Sequence, residues 1–77
     1  MKDYNYYKQI IKAATAKIKH LNKLVSGVER ELNKQTNKAV LQALKERLLS
    51  LQKDIKNEKR DINTAERTLD QIKRNTQ

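Results

Sequence analysis

The sequence predicts an all-α protein: an antiparallel two-helix coiled-coil hairpin that pairs into a four-helix assembly. Three observations predict it. The 77 residues include no proline and one glycine, so little interrupts a helix and little supplies the turns of a β fold. Two long runs of apolar residues recur at alternating steps of three and four, the spacing of a coiled-coil seam. A single short stretch between them lacks that rhythm.

The first run is Tyr4, Tyr7, Ile11, Ala14, Ile18, Leu21, Val25, Val28 and Leu32, which places helix 1 over about residues 4–35. The rhythm fails at Gln35-Thr36-Asn37-Lys38. Thr and Asn are good helix N-caps, so this stretch reads as a loop that starts the second helix. The pattern returns at Leu41 and continues through Leu44, Leu48, Leu51, Ile55, Glu58, Ile62, Ala65, Leu69 and Ile72, giving helix 2 over about residues 39–75. So short a loop forces antiparallel neighbours, and all 77 residues form one domain.

A competing break lies at Ser26-Gly27, where Ser26-Gly27-Val28-Glu29 fits a capping box and glycine is a common helix stop. Val25 and Val28 carry the seam through it without a change of phase. Helix 1 is therefore expected to run on, with Gly27 marking close approach of another helix.

Register follows from pairing each a layer with a d layer of the antiparallel partner. Facing residue numbers then add to 76, setting Tyr7 against Leu69, Val25 against Leu51 and Leu32 against Leu44. The flanking residues play no part in finding that register, yet they fall into opposite-charge pairs: Lys8 with Glu66, Glu29 with Lys45, Lys17 with Asp61, and Glu31 with Arg47. Such pairs specify orientation more than they stabilise.

Composition agrees and narrows the function. Hydrophobic residues make up 36% and charged residues 35% of the chain, with aromatics at 4%, a long-helix profile. There is no cysteine and one histidine, so a thiolate metal site, a disulfide framework and a Ser/His triad each lack their minimum set of groups. One glycine cannot build a phosphate-cradling loop, and no nucleotide or metalloprotease motif occurs. The expectation is no catalytic residue, no cofactor, no metal and no enzyme activity. No apolar stretch approaches the ~20 residues of a membrane span and no signal peptide is visible, so a soluble chain with a cytoplasmic location by default is expected.

Glu58 occupies a seam position facing Ile18. A carboxylate there is costly unless paired, so it is expected to reach the rim or meet a lysine and help fix register. A sharper reading has it anchoring a basic group from a second chain.

Helix 1 also carries a second stripe at helical spacing: Tyr6, Ile10, Ala13, His20, Leu24 and Gly27, with Lys17 its only charge, and Val40 and Ala43 extend it near the loop. A two-helix hairpin buries only one such stripe, so the second predicts a partner, either the chain itself as a dimer or another helical protein. The bland alternative is a broad edge of the core. His20 is then an interface or surface residue.

Eighteen Lys and Arg against nine Asp and Glu give a net charge of +9, which attracts nucleic acid, acidic proteins or anionic lipid. The charge is ordered: Lys53, Arg60, Arg67 and Arg74 recur every seventh residue of helix 2, and Lys12, Lys19, Lys23 and Arg30 line the outside of helix 1. These eight are candidate phosphate contacts, although solvent-facing coiled-coil positions are commonly charged. Readout by base stacking wants aromatics among them, whereas Tyr4, Tyr6 and Tyr7 gather at one end. Adsorption to anionic membrane fits the charge but lacks a lipophilic face once the seam is buried.

In outline the hairpin is similar to the small helical-hairpin proteins of Gram-positive secretion systems. Their W-x-G turn is absent here, and likeness of fold says little about function. The sequence points first to a non-enzymatic protein–protein interaction module using the second stripe of helix 1, and second to a sequence-nonspecific nucleic-acid-binding accessory protein using the basic outer faces.

Overall fold

Two helices and one tight loop make up the described residues. The computed structural model describes residues 3–75, with α1 spanning Tyr4–Lys34 and α2 spanning Lys38–Asn75. They pack side by side as a hairpin measuring 60 × 16 × 14 Å between Cα extremes. The radius of gyration is 17.6 Å, against roughly 11.5 Å for a compact domain of this length. The molecule is a rod.

Each helix starts at a side-chain cap. The Asp3 carboxylate accepts the Tyr6 backbone N–H at 3.1 Å from an extended backbone conformation, which satisfies one otherwise unpaired donor of the first turn. At the loop, the Asn37 carboxamide oxygen accepts from the backbone N–H of Ala39 at 2.9 Å and of Val40 at 3.3 Å. Its carbonyl accepts the Leu41 N–H at 2.9 Å, so Lys38 is already helical. Helix α1 ends as Gln35 turns extended while its N–H still reaches the Glu31 carbonyl at 3.0 Å. Lys34 in the last turn of α1, and Lys73 with Arg74 in the last turn of α2, complement the negative ends of the helix dipoles.

The Ser26-Gly27 break does not occur. Helix α1 passes through both residues, and Gly27 has no positive φ. Its other expected role also fails within the chain, since a Cβ built on Gly27 would meet nothing within 4 Å. No helix of this molecule approaches it closely.

Every seam residue from Tyr4 to Leu32 and from Leu41 to Ile72 is buried or half-buried, so the seam read from the sequence is the one the fold uses. Only Ala14, Val28, Leu51, Ala65 and Leu69 among the described residues are buried, and no large side chain is sealed from solvent. Two helices shield their seam from two sides and leave its flanks to water. Contacts between helices agree with the expected register: the Lys73 ammonium lies 5.8 Å from the Tyr4 ring centroid and the Lys17 ammonium 3.8 Å from Glu58. These residue numbers add to 77 and 75, on either side of 76.

The four expected flanking ion pairs do not close. Lys8–Glu66, Glu29–Lys45, Lys17–Asp61 and Glu31–Arg47 are absent from salt-bridge range, and Lys17 turns to Glu58 instead. Exposed long side chains gain too little in water to be held in one geometry. Glu58 differs because the seam holds it half-buried.

Because the chain has no cysteine, its register is directly testable. Cysteines at Val25 and Leu51 are expected to oxidise to an intrachain disulfide at high dilution, read as a faster-migrating monomer on non-reducing gels. A product that is only intermolecular contradicts the hairpin register.

Candidate docking face

The second stripe of α1 lies on one long side of the rod. Ile10, Lys17 and Leu24 flank the seam, and Tyr6, Ala13, His20 and Gly27 stand one row further out. Ile10, Leu24 and Gly27 are half-buried, whereas Ala13 and His20 are exposed and Tyr6 keeps 41% of its surface in water. Val40, at 39% exposure, continues the row from the start of α2, with Ala43 beside it. The ring of Tyr6 stands edge-on to that of Tyr7, centroids 5.1 Å apart, which fixes its orientation at the end of the stripe.

The structure adds a half of this face that the sequence pattern does not reveal. Two grooves run between the helices on the same side. The larger, about 510 Å³, joins Ala16, Lys17, His20 and Leu21 of α1 to Asp54, Asn57 and Glu58 of α2. The smaller, about 330 Å³, joins Tyr7 and Ile10 to Asp61, Thr64 and Ala65. So α2 supplies a row of short polar and acidic side chains beside the apolar row of α1. Thr64 donates its hydroxyl to the Arg60 carbonyl and Thr68 to the Thr64 carbonyl, both at 3.1 Å. With the hydroxyl donors used inside their own helix, these threonines offer methyl groups to the surface.

Glu58 shows how charge is handled here. Its side chain keeps 21% of its exposure, and the oxygen meets Lys17, itself 68% exposed, at 3.8 Å. The carboxylate reaches the rim and a lysine, as its seam position required. Among the described residues, neither Asp54 nor Asp61 has a basic group within 4 Å. On this face Lys17, Lys34 and Arg47 stand against Glu31, Asp54, Glu58 and Asp61, so a strip of near-neutral surface runs along a molecule of net charge +9.

The excess positive charge lies elsewhere. Lys53, Arg60, Arg67 and Arg74 are all exposed along the outside of α2, and Lys12, Lys19, Lys23 and Arg30 are all exposed along α1. Asp70 lies between Arg67 and Arg74 in one shallow groove, which weakens the positive field at that end. No aromatic ring accompanies either row, since Tyr4 is drawn toward Lys8 at 5.3 Å and Lys73 at the far end. Leu49, 66% exposed, stands apart from the face, and a single exposed leucine is ordinary.

Among the described residues no three His, Asp or Glu side chains gather where they could hold one metal ion, and no helix is long and apolar enough to cross a membrane. Compared with known proteins, the chain matches no family model, no curated protein and no solved structure.

Gly27 gives a direct measure of how open this face is. With no atom to meet a new methyl group, Gly27→Ala is expected to stabilise the helix by about 1 kcal/mol. Circular dichroism melts at low micromolar concentration should then show a midpoint about 4–8 °C higher. A fall would place an unseen neighbour against Gly27.

Proposed function

We propose that this chain is a non-enzymatic helical interaction module whose working surface is the face built on the second stripe of α1. The observation that carries the reading is that stripe beside the near-neutral polar row of α2: apolar side chains at helical spacing that the hairpin's own seam leaves in contact with water. Docking a further helix or helix pair there buries apolar surface, while Asp54, Asp61 and Lys17 set orientation and partner choice.

Ile10 and Leu24 are central to the stripe and outside the seam. Changing both to Glu is expected to leave helicity by circular dichroism nearly unchanged and to abolish association, since the new carboxylates would enter an apolar interface. Sedimentation reads the result: unchanged mass of the complex contradicts the reading.

A second reading is supported by the exposed basic ladder of α2. Arg60, Arg67 and Arg74 recur once per heptad, roughly 10.5 Å apart along the helix, and none has an acidic partner within 4 Å among the described residues. If this ladder holds DNA or RNA, changing the three to Gln should lower the slope of log affinity against log salt. The expected decrease is roughly 0.9 for each duplex phosphate no longer neutralised, or about 0.7 on single strands. Fluorescence anisotropy with labelled oligonucleotides at several salt concentrations measures it. Absence of binding at ~50 mM salt, or binding indifferent to the three arginines, eliminates this reading.

A further inference from the structure

The order of residues along α1 says what covers its second stripe. Laid against itself in antiparallel, the row from Tyr6 to Gly27 is self-complementary about Lys17: Tyr6 falls opposite Gly27, Ala13 opposite His20, and Ile10 opposite Leu24. Two bulky rings meet the two smallest residues, and two branched aliphatic chains meet each other. Alternation of large and small across facing positions is what lets two layers interdigitate. We propose that the occupant is a second copy of this chain, docked α1 against α1 in antiparallel, with a two-fold axis passing beside Lys17. The inference rests on the docking-face reading and names its partner.

Three further observations lead to the same arrangement. Gly27 sits in mid-helix with nothing near its missing Cβ, so the hairpin alone gives no reason for a residue that weakens helices. Under the two-fold it is where Tyr6 of the second copy, exposed and held edge-on to Tyr7, would lie.

The second observation comes from α2, where the axis leaves no freedom. The hairpin register places residue 59 level with Lys17, so the same two-fold sets Asp61 opposite Asn57, Asp54 opposite Thr64, and Ser50 opposite Thr68. No aspartate meets an aspartate. Asp61 instead faces the Asn57 amide, which can donate to it, and Asp54 faces Thr64. On the axis itself the two Lys17 ammonium groups each have Glu58 at 3.8 Å, so four charges of alternating sign replace a like-charged pair.

The third is area. The hairpin exposes 6429 Å², whereas a globular monomer of 9.1 kDa exposes about 4,900 Å². The excess, roughly 1,500 Å², exceeds the ~800 Å² that each partner gives to a standard interface. A face running the 60 Å length of the rod can supply it.

Cross-linking in the cysteine-free chain tests the arrangement. Wild-type protein should sediment as a dimer at about 100 µM, a concentration at which even a micromolar dimer is nearly complete. Lys17→Cys should form a covalent dimer with a short bismaleimide, whereas Lys59→Cys, at the same height on the opposite side of the rod, should not. Ile10→Cys and Leu24→Cys chains should each give no covalent dimer alone and cross-link when mixed. Gly27→Leu should keep full helicity by circular dichroism and raise the dimer dissociation constant more than tenfold.

A monomeric wild type overturns the inference, as does a dimer that cross-links through Ile10→Cys alone or through Lys59→Cys. The Ile10→Glu, Leu24→Glu variant separates the two levels of failure. If it dissociates a dimer whose cross-links are wrong, the face stands and the register falls. If the dimer keeps its mass in that variant, the docking-face reading falls with it.

Discussion

A hairpin of two helices has a single seam, and everything else about this molecule depends on that limit. Each helix can turn only one stripe toward the other, so the seam residues hold the rod together and all other rows face water. The seam here is long but thin. Five of the described residues are buried and none of the large side chains is sealed, because two cylinders in contact shield the line between them and leave both its sides open. Bundles of four helices solve this by closing the flanks. A chain with one seam's worth of burial therefore gains from any further layer, and the side on which such a layer can add is fixed by which flank is apolar.

Only one flank is apolar. Ile10 and Leu24 lie beside the seam on the side of Tyr6, Val40 and the two grooves, whereas the other side of α1 presents Lys8, Thr15, Asn22 and Glu29. The seam thus decides that the helices pair, and the asymmetry of its flanks decides where a third element can sit. Glu58 belongs to both. It interrupts the seam opposite Ile18, which costs apolar burial, and it reaches out to Lys17 on the docking side. The interruption couples the hairpin's register to the surface.

Much of this is legible in the sequence because helical periodicity is enforced by burial at every turn. The seam, the loop at Gln35–Asn37 and the continuity of α1 through Gly27 all follow from a pattern repeated over nine or ten positions, which one deviant residue cannot shift. The cap at Asp3 is not legible in that way, since a single hydrogen bond leaves no periodic trace. The flanking charges mislead for the opposite reason: their order is real, but an ordered pattern of exposed charges does not make contacts, and none of the four expected pairs closes while Lys17 turns to half-buried Glu58. The α2 half of the docking face is also hidden. Ser50, Asp54, Asn57, Asp61 and Thr64 have the composition of a solvated face, and only the grooves that join α2 to α1 bring Asp54, Asn57, Asp61 and Thr64 beside the apolar row.

The distribution of charge bears on the proposed self-association. Two molecules of charge +9 repel at distances up to about a Debye length, ~8 Å at physiological salt, so their association is opposed unless the surfaces that meet carry little net charge. The docking face meets that condition, and the arginine ladder of α2 points away from it. Salt is therefore expected to act with opposite sign on the two associations proposed for this chain. Screening relieves repulsion between copies and strengthens burial of the apolar row, whereas it removes the counterion-release term that drives binding to phosphates. Because the two surfaces occupy different sides of one stiff rod, a pair of copies joined through the near-neutral face would still present both basic ladders outward. Under the proposed docking the charged faces stay exposed, so the two proposed associations would not compete for the same residues.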